Sequence, residues 1–226
     1  MIGGCVRMII SNEKKFIYLR VPKTGSTSAS VFFFNELPLE KSIIRSSDKS
    51  TLIREENSNI IPSNYFNGTY DFLGGVHATL QEVEKSKLLQ YPLNEYDVYA
   101  VCRNPIDRFL SFCSMFKKTD NVDIVSNFTT FKQYMSMFEC SPQALWLMHN
   151  NTLLNKVFLY ENLNALIAEI SEKYNIGNVD KFKSYQLRCY DKPYKDINKK
   201  ALEYIKVIWA KDFEIYANLK NYPAAR

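Results

Sequence analysis

The chemistry available to this chain is concentrated in two short runs. The first, Phe16-Ile17-Tyr18-Leu19-Arg20-Val21-Pro22-Lys23-Thr24-Gly25-Ser26-Thr27-Ser28, is an apolar, β-prone stretch that stops at a proline and then presents a lysine, a glycine and four hydroxyl side chains. That order predicts a strand, a tight turn and the first turn of a helix. A helix start of this kind aims backbone N–H groups and a positive dipole end at whatever lies before it, and the natural occupant is a phosphate or sulfate. Lys23 stands within reach of such a group. The loop is not a standard ATP-binding loop, in which lysine directly follows the second glycine. Here Lys23 comes two residues before Gly25, with no glycine ahead of it in the loop.

The second run, Asp97-Val98-Tyr99-Ala100-Val101-Cys102-Arg103-Asn104-Pro105-Ile106-Asp107-Arg108-Phe109-Leu110-Ser111, repeats the design. Val98 to Cys102 reads as a buried strand. Asn104 suits an N-cap, Pro105 the first helical position, and Asp107 complements the helix dipole. Arg103 stands at the strand end, where a guanidinium is out of place unless it has something to bind. Arg108 and Ser111, three residues apart, share a helix face, and a guanidinium beside a hydroxyl makes a good phosphate receiver.

Taken together, the two runs resemble the sulfotransferases that use 3′-phosphoadenosine-5′-phosphosulfate (PAPS), in the carbohydrate branch that includes the heparan sulfate 2-O-sulfotransferases and chondroitin sulfotransferases. Val21 to Thr27 is similar to that family's 5′-phosphosulfate loop, Pro-Lys-Thr-Gly-Ser-Thr, and Arg103 to Ser111 to its 3′-phosphate motif, Arg-x-Pro-x-x-Arg-x-x-Ser. Gly75 to Thr79 resembles a histidine segment between the two. Gln143 to Leu147, Phe158 to Leu163 and Ile208 to Tyr216 resemble later family segments.

The resemblance implies PAPS as donor and an acceptor hydroxyl, on a carbohydrate. It implies that Lys23 contacts the oxygen bridging phosphate and sulfate, and that Thr24, Gly25, Ser26, Thr27 and Ser28 cradle the 5′-phosphate. Arg103 and Ser111 hold the 3′-phosphate, while Arg108 either supports the loop or joins that phosphate. His77, in the family's histidine segment, is the expected general base, an imidazole with a pKa near the ordinary 6.5 being well suited to the task. Asp71 and Glu161 are the acidic alternatives, and His149, beside Trp146, Leu147 and Met148, reads as a packed structural residue.

These residues need elements to hold them. The pattern predicts a strand over 16–21 and a helix over 25–36 with Val31 to Phe34 buried. An irregular excursion follows over 38–71, with at most short helices. A Thr79–Glu82 capping box then starts a helix that runs to about Gln90. Further on come a strand over 97–102, helices over 105–117, 129–138 and 142–149, a strand over 156–160 and a helix over 163–174. One long amphipathic helix over 197–218 carries Ile205, Ile208, Trp209, Phe213 and Tyr216 on its apolar face. Strands alternating with helices argue an α/β protein, and the resemblance makes it a P-loop-like three-layer fold with a central parallel sheet flanked by helices. The 226 residues suit a single domain over 1–226.

Composition narrows the classes. Apolar residues make up 46% and aromatics 14%, as in a globular core. The net charge of +5 fits a polyanionic ligand, but the cations are scattered rather than clustered, so nucleic-acid binding is not supported. No apolar run approaches a membrane span and no signal peptide is visible, so a cytoplasmic protein is expected, a trimmed membrane-anchored enzyme being the alternative. The five cysteines, at 5, 102, 113, 140 and 189, suit neither a zinc site nor a disulfide framework and are expected as thiols. No metal is implied, because the strand ending at Cys102 runs into arginine rather than a magnesium-holding aspartate. Phe109, Phe112 and Phe116, like Tyr65, Phe66, Tyr70 and Phe72, read first as core and second as sugar-stacking groups. Lys192, Lys195, Lys199 and Lys200 read as a solvated face. Two other functions compete: a nucleotide-dependent phosphotransferase of related architecture, and a non-catalytic nucleotide-binding protein. The oligomeric state is open.

Overall fold

The computed structural model describes residues 9–36, 43–45, 51–53, 77–85, 89–120, 128–137, 140–185 and 199–221. Its central sheet has the strand order β1-β2-β5-β8, from β1 (Ile9–Ser11), β2 (Phe16–Tyr18), β5 (Asp97–Cys102) and β8 (Lys156–Leu159). β2, β5 and β8 run parallel, with Ile17 opposite Val98 and Val101 opposite Phe158. β1 is antiparallel to β2. The predicted parallel strands are therefore present, with an antiparallel edge strand added by a three-residue segment too short to show a period of its own.

Because neighbouring strand residues point to opposite faces, the sheet builds two cores. Ile17, Leu19, Val98, Ala100, Cys102 and Val157 pack on one face, against α2 (Leu80–Lys85), α5 (Ala144–Leu147) and α8 (Ala210–Asn221) through Val83, Trp146 and Ile215. Phe16, Tyr18, Tyr99, Val101 and Phe158 pack on the other, against α1 (Ser26–Glu36), α6 (Leu163–Tyr174) and the 3₁₀ segment Val179–Tyr185. A third cluster joins α3 (Pro105–Asp120), α4 (Phe128–Met135) and α7 (Lys199–Ile208) around Phe109, Phe112, Phe131, Ile205 and Trp209. Strands buried on both sides explain why these runs are continuously apolar rather than alternating.

The local signals behave as their chemistry demands. Asn104 Oδ1 accepts from the N–H groups of Ile106 and Asp107, capping α3 behind Pro105. Thr79 and Glu82 form the reciprocal capping box of α2. α2 is described over Leu80–Lys85, and Leu89 and Gln90 are not helical, so the helix does not reach Gln90.

Three expectations are corrected. The 38–71 excursion contains an antiparallel pair, β3 (Ile43–Arg45) with β4 (Thr51–Ile53). The helix over 142–149 stops at Leu147 and turns into a hairpin, β6 (Met148–His149) with β7 (Thr152–Leu153), whose turn residues Asn150 and Asn151 both take positive φ. His149 thus lies on a strand, 3.3 Å from Glu84, rather than packed on a helix. The long helix over 197–218 is two helices, broken at Trp209. No glycine or proline marks that break. Trp209 is fully buried there, its indole N–H donating to the Cys140 carbonyl, so a tertiary contact marks the break.

Phe109, Phe112 and Phe116 are core residues. Cys102, Cys113 and Cys140 are buried thiols. Cys5, Cys189, Tyr65, Phe66, Tyr70, Phe72, Asp71, Gly75, Lys192 and Lys195 lie outside the described residues, while Lys199 and Lys200 are exposed on α7. Among the described residues no helix is long and apolar enough to cross a membrane.

Candidate functional site

The turns after β2, β5 and β8 all emerge at one edge of the sheet, because the three strands are parallel and adjacent. Ligands of open α/β sheets bind at this carboxyl edge. A cavity of about 160 Å³ opens there, lined by Arg20, Lys23, Gly25, Ser26, Thr27, Ser28, His77, Arg103, Ser111, Met115 and Tyr160. Among the described residues three cations line it and no carboxylate does, which suits it to an anion. A larger cavity of about 900 Å³, beside Leu80, Leu93 and Leu153, has neither lysine nor arginine among its described lining residues.

The first loop is built tightly. Lys23 takes φ 64°, a left-handed conformation that a lysine rarely adopts and that is held in place by its surroundings. The Arg103 guanidinium donates to the Lys23 carbonyl at 3.0 Å, and Arg108 Nε donates to the Pro22 carbonyl at 3.0 Å. Gly25 is required: its φ is 74°, and a Cβ would stand 2.9 Å from the Tyr160 ring and 3.0 Å from Leu163. The Thr24 and Ser26 hydroxyls both donate to the Val21 carbonyl, so they brace the turn, and Thr24 is absent from the cavity lining. Thr27 and Ser28 line the cavity at the start of α1, whose first turn carries no acidic residue. An anion there meets the positive end of the helix without competition.

Of the second motif, Arg103 and Ser111 face the cavity and Arg108 does not. Arg108 is wholly buried, stacked on Trp209 and Phe112, 3.6 Å from the Asp212 carboxylate, and donates to the Pro22 and Ser141 carbonyls. It is a strut between loops. The Arg103 guanidinium lies 4.3 Å over the Tyr160 ring, and its buried Nε has no hydrogen-bond partner.

His77 completes the cavity. Its Nδ1 lies 2.7 Å from the Arg20 carbonyl, an acceptor only, so Nδ1 carries the proton and Nε2 keeps its lone pair. The Trp146 indole N–H donates to the His77 carbonyl and fixes the main chain. Burial, followed by the charges of Arg20, Arg108 and Lys23, lowers the His77 pKa from the ordinary 6.5 to about 3. The imidazole is therefore neutral at physiological pH, which corrects the expectation of an ordinary value.

The unfolded chain takes up this proton near 6.5, and the folded protein resists it down to about 3. His77 therefore removes stability as pH falls below 6.5, by at most roughly 1.4 kcal/mol per pH unit. We predict that nitrogen-detected NMR of the free protein finds His77 as the neutral Nδ1–H tautomer from pH 8 to pH 5. A titration midpoint near 6.5 would overturn the lowered pKa.

Arg20 and Tyr160 also line the cavity, and motif spacing does not single them out. Arg20 is 2% exposed, and its Nη2 donates to Thr27 Oγ1 at 2.9 Å. A signal for it exists: it follows the apolar run Phe16 to Leu19 just as Arg103 follows Val98 to Cys102. Tyr160 directly follows the third parallel strand, and only the sheet order brings it under Arg103. Glu161 is exposed and accepts from the Tyr216 hydroxyl rather than facing the cavity. Among the described residues no three His, Cys, Asp or Glu side chains are grouped to hold a metal.

Comparison with curated proteins and with solved structures finds no significant match. The family model of the sulfotransferase family matches residues 6–218, a span that contains both strand–turn–helix runs, His77, Tyr160, α7 and most of α8. By that match over nearly its whole length, the chain belongs to the sulfotransferase family.

Proposed function

We propose that the protein transfers the sulfuryl group of PAPS to an acceptor hydroxyl on a carbohydrate, with Lys23 and His77 as the catalytic residues. The observation that carries this reading is the single cavity into which Lys23, Arg103, Ser111 and a neutral His77 converge. The residues fit the donor. Among the described lining residues, three cations and no carboxylate suit a ligand bearing a phosphosulfate and a second phosphate, and the buried Arg103 Nε is a donor that still needs an acceptor.

When bound, PAPS supplies a sulfuryl group on an anhydride oxygen, with a 5′-phosphate as leaving group. Thr27, Ser28 and the start of α1 hold the 5′ side, and the Thr24, Gly25 and Ser26 segment shapes that turn. Arg103 and Ser111 take the 3′-phosphate, which distinguishes this donor from ATP. The Lys23 ammonium neutralises the charge that grows on the bridging oxygen as its bond to sulfur breaks. His77 Nε2 accepts the acceptor's hydroxyl proton as the new oxygen–sulfur bond forms. The carbohydrate acceptor is supported by the likeness of the two motifs to the carbohydrate branch.

Calorimetric titration with 3′-phosphoadenosine-5′-phosphate (PAP), the desulfated product, tests the donor. Micromolar PAP binding with no heat from Mg-ATP is expected. A preference for Mg-ATP would overturn the reading in favour of a phosphotransferase.

A further inference from the structure

Asp212 is a carboxylate with no exposed surface, placed under the site rather than in it. Its two oxygens accept the adjacent backbone N–H groups of Gln143 and Ala144, at 2.7 and 2.8 Å, and one of them faces Arg108 at 3.6 Å. Burial pushes its pKa up, while Arg108 and the two N–H groups favour the ionised form. An acid in such a place costs desolvation unless its partners are well aligned, so its value lies in what it aligns.

That is the main chain at Gln143. The Gln143 side chain, also with no exposed surface, clamps the backbone of Arg103 from both sides: Nε2 donates to the Arg103 carbonyl at 2.7 Å, and Oε1 accepts from the Arg103 N–H at 3.0 Å. A two-point clamp fixes the direction in which the next bond, Cα to Cβ, leaves the chain. The Arg103 side chain then runs over Tyr160 into the cavity. Each link is a directed hydrogen bond between buried groups, where a misplacement leaves a donor or acceptor unmatched.

We propose that Asp212 and Gln143 form a positioning relay that sets Arg103 for the donor's 3′-phosphate. The relay rests on the reading of Arg103 as the 3′-phosphate receiver. Neither residue touches the ligand. Their effect is on recognition of one phosphate, not on binding in general.

The test compares PAP with 5′-AMP, which lacks only the 3′-phosphate, by calorimetry on the full chain. Charge-assisted bonds to that phosphate give the wild type a PAP preference of roughly hundredfold. Asp212→Asn keeps one acceptor and loses the other. We expect its PAP-to-AMP affinity ratio to drop by about tenfold, through PAP, with AMP affinity changed much less. Gln143→Met removes the clamp while leaving Asp212 and Arg108 in place, and should lower the ratio similarly, so it decides the matter if Asp212→Asn does not fold. Equal losses for both nucleotides, or an unchanged ratio in Gln143→Met, would overturn the relay and make the cluster purely structural. A wild type that does not prefer PAP to AMP would instead overturn the donor reading.

Discussion

Replacing Lys23 with methionine is expected to lower kcat by about 10²–10³ while leaving the thermal midpoint nearly unchanged, because the charge that stabilises the leaving oxygen is worth several kcal/mol only in the transition state. Methionine keeps an unbranched stem of similar length, and it bears the left-handed φ of 64° no better and no worse than lysine. The Arg103 bond to the carbonyl of residue 23 is a main-chain contact and survives the change. Steady-state turnover with PAPS, together with PAP affinity, checks this. A variant with wild-type kcat would remove Lys23 from the catalytic step. A variant that lost PAP binding in the same proportion as turnover would make it a ground-state ligand.

The second large effect is expected at His77. His77→Asn should reduce kcat by about 10²–10⁴, the range of a lost general base, and change PAP affinity by less than about threefold. Asparagine places an amide near the position of Nδ1, so a donor to the Arg20 carbonyl is kept while the lone pair of Nε2 is lost. The depressed pKa poses an objection, since an imidazole near 3 is a weak base. The depression comes from burial first and from Arg20, Arg108 and Lys23 next. A donor bearing several negative charges among those cations opposes the second contribution and raises the value. PAP should therefore move the His77 titration upward in the NMR experiment. Full activity in His77→Asn would return the search for a base to the other residues of the edge.

Much of the site was legible because its signals are local. Asn104 and Pro105 start α3 through bonds that span two or three residues. Thr79 and Glu82 start α2 in the same way. The helix expected over 163–174 is observed over Leu163–Tyr174, since its apolar spacing and its left-handed cap at Asn175 act within a few turns. The break at Trp209 was not legible: it answers to Cys140, 69 residues away, and leaves no mark in the helical period. The edge strand Ile9–Ser11 is defined by pairing with β2 and is too short for a period to show.

The roles of the charged residues divide along the same line. Residue type and spacing alone determined that two strand–turn–helix units carry cations at their turns, because strand ends, caps and dipoles are properties of a few consecutive residues. Tertiary structure alone decided which cation faces the cavity. Arg103 and Arg108 belong to one motif, yet one enters the cavity and the other is sealed against Trp209 and Asp212. The His77 tautomer depends on the Arg20 carbonyl 57 residues away, and the placement of Arg103 on the Gln143 amide 40 residues away. The physical reason is that a side chain's charge and proton are set by burial and by hydrogen-bond partners, and only the folded sheet brings those partners within 3 Å.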